Sequence, residues 1–143
     1  HQDGAYQNAR QLVDGNEWEN TISHELFHHW FGDLVTTESW SNITLNESFA
    51  NYSEYLWREH RYGKDDADAE NFDEMQGYLL SGSDDKDLVR FYYKNREDVF
   101  DAVSYNKGGR ILHMLRNYVG DAAFFKSLNE YLNLYKFKPA EAQ

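Results

Sequence analysis

Residues 24–55 read HELFHHWFGDLVTTESWSNITLNESFANYSEY, and the layout of the chain follows from this stretch and what flanks it. From about Asn16 to Phe31 the apolar residues Trp18, Ile22, Leu26, Phe27 and Trp30 recur at spacings of three and four. That is the period of a helix with one buried face, and Gly32 is its expected stop. Leu34 to Trp40 reads as a loop or a short extended piece. A second helix is expected from Leu45 to about His60, with Phe49, Tyr52, Leu56 and Trp57 as its apolar stripe, ended by Gly63.

His24-Glu25-Leu26-Phe27-His28 is an H-E-x-x-H sequence inside the first helix. Positions four apart lie one turn up on the same helix face, so two imidazoles there can converge on one ion. Zinc accepts such ligands at roughly 2.0–2.1 Å. Glu25 projects beside the ion rather than onto it, within reach of a water at the metal. The bland alternative is a surface helix that happens to carry two histidines. Leu26, Phe27, Trp30 and Phe31 count against it, because they make the helix apolar on most sides. Burying two histidines and a glutamate there without partners costs several kcal/mol. Catalytic zinc takes three protein ligands and keeps a position for water. Glu47, at the start of the second helix, is the candidate third ligand. His29 sits about 100° around the helix from His28 and is expected to point away. His60 and His113 read as surface or packing residues, and Asp33 stays undecided.

The rest of the chain is also read as helical. A third helix is expected after the acidic Lys64–Ala69 stretch, through Phe72, Met75 and Leu79. The Ser81–Asp87 segment is a polar turn, and helices over Val99–Tyr118 and Asp121 to about Tyr135 break at Gly120-Asp121. No strand pattern of any strength is visible. The acids from Asp65 to Glu74 lack the spacing and central glycine of a calcium loop and read as a solvated face. Domain organisation is therefore a single partial domain over 1–143, with an irregular lead-in over 1–15 and a helical, zinc-binding part over 16–143.

Composition bounds the function. Aromatic residues are 17% of the 143, and the net charge is −11. The aromatic content requires a packed core, and the polyanion argues against nucleic acid or an anionic membrane surface as partner. With no cysteine, thiolate metal sites, thiol nucleophiles and disulfides are excluded. No apolar run approaches the roughly 20 residues needed to span a bilayer. No signal peptide is visible, which carries little weight in a chain that opens at His1 without an initiator Met and is expected to be a piece of a longer protein.

Stretch 24–55 resembles the signature of the M1 family of zinc aminopeptidases, a branch of the gluzincins. In that family eighteen residues separate the second His from the ligand Glu, and residues 29 to 46 number eighteen. The flanks match too, in Trp30-Phe31-Gly32, Leu34-Val35-Thr36, Glu38, Trp40, Leu45-Asn46-Glu47 and Phe49-Ala50. A second match lies at FDAVSYNKGGRILHML, residues 100–115. It resembles the segment whose Tyr, followed two residues later by Lys-Gly, stabilises the transition state. The resemblance thus implies a mainly α fold, the helical zinc-bearing part of a thermolysin-like (gluzincin) catalytic domain. It implies one Zn2+ held by His24, His28 and Glu47, with Glu25 as catalytic base and Tyr105 as oxyanion partner. Without the segment match, Tyr105 reads as a core tyrosine. Glu54 and Asn51 are second candidates, either orienting a zinc-bound imidazole or occupying solvated helix positions.

The sequence departs from the family at Ser48, where Gly is usual, and around Trp40, where Ser39 and Ser41 stand and a second Trp is usual. These changes leave the ligands intact. The upstream Gly-x-Met-Glu-Asn exopeptidase motif and the family's amino-terminal β and carboxy-terminal helical domains are not found here. The implied activity is removal of amino-terminal residues from peptides, with a peptide substrate and the remainder of the parent catalytic domain as partners. Two alternatives stay open: a zinc-binding fragment without catalysis, and a family branch acting on an epoxide or other non-peptide substrate.

Overall fold

A computed structural model of the chain describes residues 3–142; His1, Gln2 and Gln143, at the ends of the expected lead-in and helical part, lie outside the described residues. Among those described, five α-helices carry the fold: α1 (Glu19–Phe27), α2 (Thr44–Tyr62), α3 (Lys64–Leu80), α4 (Gly108–Val119) and α5 (Asp121–Tyr135). Two short strands, β1 (Val35–Thr37) and β2 (Lys138–Ala140), pair in parallel with Val35 opposite Lys138. The described residues of the lead-in hold short 3₁₀ turns at Asp3–Ala5 and Gln11–Val13 and otherwise irregular backbone. No helix among the described residues is long and apolar enough to cross a membrane.

Helix α2 is the axis of the molecule, and α1, α3 and α4 all pack against it. Its face of Tyr52 and Tyr55 meets Ala67 of α3, Leu112 of α4 and Phe124 of α5 in the main core. The aromatic content is spent here: Tyr52 stacks on Tyr55 and meets the Phe124 ring edge-on. A ring buried as fully as Phe124 contributes about 1.5–3 kcal/mol. A second cluster gathers Val35, Leu45 and Ala140 beneath Phe49, Tyr131 and Tyr135, and this is what the strand pair anchors. At the far end of α2, Arg116 bridges Glu59 at 2.7 Å and Asp121 at 2.8 Å, joining α2, α4 and α5.

Three expectations need correction. The first helix ends at Phe27 instead of continuing to Phe31, because the His29 and Trp30 N–H groups turn to carbonyls three residues back, those of Leu26 and Phe27. Gly32 then takes φ 154°, where a Cβ would lie 2.7 Å from the His28 carbonyl oxygen; only glycine fits. Asp33, Leu34 and Val35 donate to the carbonyls of His28, His29 and Trp30, which satisfies that end of the helix. Second, a strand pair stands where no strand pattern was visible: β1 falls within the expected loop or short extended piece over Leu34 to Trp40, and β2 was not foreseen. Val-Thr-Thr is too short to display an alternating pattern, and its partner contains Pro139, a residue that sequence reasoning assigns away from strands. Third, the expected helix Val99–Tyr118 is preceded by a short 3₁₀ turn (Arg96–Val99) and opens as a π-helical turn over Val103–Lys107, where Lys107 N–H reaches the Ala102 carbonyl at 2.9 Å.

Candidate metal centre

α1 and α2 bring three donor side chains together. His24 lies in α1 and His28, four residues on, caps its end with helical backbone angles, while Glu47 enters from the first turn of α2. Glu47 Oε2 lies 3.2 Å from His24 Nε2 and 3.5 Å from His28 Nε2, and the three ligand atoms fall within 4.8 Å of one another. Tetrahedral ligands at roughly 2.0–2.1 Å from an ion stand about 3.3 Å apart, so the observed separations suit a single small cation. His24 and Glu47 are buried.

The other ring nitrogens are also committed. His24 Nδ1 meets Glu54 Oε1 at 2.9 Å, and His28 Nδ1 meets the Phe31 carbonyl at 3.1 Å. Both partners accept, so each ring carries a hydrogen on Nδ1, which leaves Nε2 as the atom able to ligate once its own proton, held toward Glu47, is displaced. The field favours a cation. Burial alone would lower the His24 pKa, yet hydrogen bonds to Glu47 and Glu54 raise it to about 9. Burial would likewise push Glu47 up, but the two imidazoles hold it down at about 2. A divalent ion satisfies the same demand for positive charge and displaces the proton as it binds.

Glu25 follows His24 on α1 and is half-buried. It lines a cavity of about 290 Å³ with Ala5, Tyr6, Ile22, Leu26 and His29. Tyr105 comes from the π-helical turn, its ring parallel to that of His24 with centroids 5.7 Å apart. Burial, followed by the charge and hydrogen bonding of Glu47 and the charge of Glu25, raises the phenol pKa above its usual value. The group therefore remains a hydrogen-bond donor at neutral pH.

Asn51 is not at the imidazoles. Its amide donates to Glu74 Oε2 at 3.1 Å, and its carbonyl faces Arg110. His29 points outward beside Asp33 at 3.3 Å, and His113 packs on Tyr55 and Tyr52. The structure adds groups that the sequence did not single out. Glu74, read as part of a solvated acidic face, turns inward to Asn51 and Asn106. Asp101 caps the π-helical turn by accepting from the Val103 and Ser104 N–H groups, and is itself held by Arg90. The Phe31 carbonyl is a backbone group, for which residue identity carries no signal.

Residues 5–143 match the sequence profile of the peptidase family M1 domain. The chain belongs to the M1 peptidase family. "Probable aminopeptidase 1" of Saccharolobus solfataricus is 37% identical over 127 residues, which are 85% of this M1 chain and 16% of that protein. "Aminopeptidase M1" of Arabidopsis thaliana is 32% identical over 126 residues, 85% of this chain and 14% of that one. Among solved structures, a mutant M1 zinc metallopeptidase from Deinococcus radiodurans, bound to a Tyr-Ser-Ala substrate, superposes with TM-score 0.77 at 35% identity. It covers 91% of this chain and 28% of its own. Native leukotriene A4 hydrolase from Saccharomyces cerevisiae gives TM-score 0.79 at 26% identity, over 92% of this chain and 22% of that one. This M1 chain thus spans about one-sixth of the length of the curated relatives it matches.

Proposed function

We propose that this chain carries the zinc-bearing half of an aminopeptidase active site, with His24, His28 and Glu47 as ligands, Glu25 as general base and Tyr105 as oxyanion donor. The observation that carries the reading is the convergence of His24 Nε2, His28 Nε2 and Glu47 Oε2, with both Nδ1 atoms occupied elsewhere. Relatives named aminopeptidase and a similar structure bound to a tripeptide support peptide bonds as the target.

Bound zinc supplies Lewis acidity, which makes water a stronger acid and a carbonyl a stronger electrophile. Glu25 accepts the proton of the attacking water and returns it to the departing amine. The Tyr105 phenol, kept protonated by burial and neighbouring carboxylates, donates to the oxygen on which negative charge develops. Glu54 holds the His24 ring in the tautomer that faces inward. A non-peptide substrate draws less support: the hydrolase named for leukotriene A4 is similar mainly in shape, at 26% identity.

The test pairs metal analysis with hydrolysis of aminoacyl anilides, for the chain by itself and within a full-length M1 protein. One zinc per chain is expected. Glu25→Gln should retain the metal and lower turnover by about 10²–10⁴. Absence of zinc from both proteins, or unchanged turnover in Glu25→Gln, overturns the assignment.

A further inference from the structure

Tyr105 stands between two residues that are each tied to another helix. On one side the buried Ser48 hydroxyl donates to the Ser104 carbonyl at 2.6 Å. Because Ser48 spends its hydrogen there, the Thr44 hydroxyl, 2.5 Å away, must donate to Ser48. On the other side Glu74 Oε2 accepts from Asn106 Nδ2 at 2.6 Å and from Asn51 Nδ2 at 3.1 Å. Ser48 is next to the candidate ligand Glu47, and Asn51 is one turn further along α2. Both neighbours of Tyr105 are therefore referenced to the helix that positions Glu47.

The backbone between them needs such support. A π-helical turn carries its hydrogen bonds one residue wider than an α-helix and occurs in single turns. Returning it to α-helical register would rotate the intervening side chains by about 100° per residue. The phenol would then leave the His24 ring. The space is built for this contact: a Cβ at Gly108 would meet Ser48 Oγ at 1.8 Å, and one at Gly109 would meet Asn51 Oδ1 at 2.2 Å.

We propose that Ser48 and Glu74 are positioning residues for Tyr105, clamping the π-helical turn through Ser104 and Asn106 so that the phenol stays over His24 and beside Glu47. What the phenol does there rests on the aminopeptidase reading, whereas the clamp itself does not. Neither residue touches the reacting atoms.

The experiment compares Ser48→Ala and Glu74→Ala in the zinc-loaded protein, each alone and in a Tyr105→Phe background. Hydrogen exchange across residues 103–107 and zinc content are measured alongside. Each variant is expected to lower kcat about tenfold, with KM within twofold and zinc content unchanged. Little further loss is expected once Tyr105 is already Phe, since residues acting through one group are not additive. Exchange across 103–107 should quicken about tenfold. A kcat loss that persists undiminished in the Tyr105→Phe background overturns the proposal, as does unchanged exchange. If Ser48→Ala or Glu74→Ala fails to fold, Asn106→Ala removes one arm of the clamp and is held to the same outcomes. If the full-length M1 protein that carries this chain has no turnover, or Tyr105→Phe matches it, the aminopeptidase reading fails, and the exchange measurement alone decides the clamp.

Discussion

Glu54 illustrates how far a single residue can be read before a structure exists. It lies seven positions after Glu47, about 20° from it around α2, and its carboxylate does reach His24 Nδ1. Truncating it removes the acceptor that fixes the inward tautomer. Glu54→Ala should therefore weaken metal binding roughly 10–100-fold, measured by competition with a chelator. Asn51→Ala should change it much less, because Asn51 faces Glu74 and Arg110. Equal effects from the two would sink this assignment. The contrast also marks a limit of legibility. Helical spacing placed His24, His28 and Glu54 on faces that meet around Glu47 and His24, and the same arithmetic put Asn51 about 40° from Glu47. Its partners come from α3 and α4, and no period within α2 encodes them.

At the scale of elements, helices were legible where an apolar stripe repeats over several turns, as in α2, α3 and α5. Their ends and the irregular pieces were not. Trp30 and Phe31 continue the stripe of α1 in spacing while the backbone has already left it, and the π-helical turn inserts a residue that leaves the local pattern unchanged. Two predictions belong here. Gly108→Ala would drive a Cβ into Ser48 Oγ and should destabilise the protein by about 1–3 kcal/mol in denaturant unfolding. Ser48→Gly has its own cost, through the lost bond to Ser104 and a glycine within α2, but the double variant should lose less than the sum of the two single losses, and strict additivity would show the contact to be irrelevant. The second concerns Asp101. Burial would raise its pKa, but hydrogen bonds from Arg90 and Lys86 hold it at about 2, below the usual 3.8. A carboxylate depressed in the folded state stabilises above its unfolded pKa, and that contribution disappears as pH falls through the folded value. The stability difference between the unmutated protein and Asp101→Asn should thus shrink between about pH 4 and pH 2. A difference independent of pH across that window would contradict the role given to Arg90 and Lys86.

For the whole molecule, family and helical class were legible because the two matching segments, residues 24–55 and 100–115, hold the chemistry and the helix that joins it. What covers the outside was not. Ile22, Leu26 and Trp30 on and just beyond α1 are 39%, 55% and 49% exposed, and Met114, Leu115 and Tyr118 form a second exposed set on α4. Contiguous apolar surface of this kind marks association sites, while a net charge of −11 opposes contact between copies. The 143-residue chain should self-associate, and more so as salt screens the repulsion. Light scattering that reports a clean monomer at both low and high salt would refute this.

The parallel pairing of β1 with β2 bears on timing. The candidate ligands, the candidate base Glu25 and Tyr105 all lie before residue 108, but the strand that seals Val35 and Leu45 ends at Ala140. Synthesis proceeds at roughly 5–20 residues per second, so the two partners, about a hundred residues apart, emerge some 5–20 s from one another. For that interval the nascent chain holds its chemical residues while one edge of β1 waits open, exposed to any other extended segment that reaches it first.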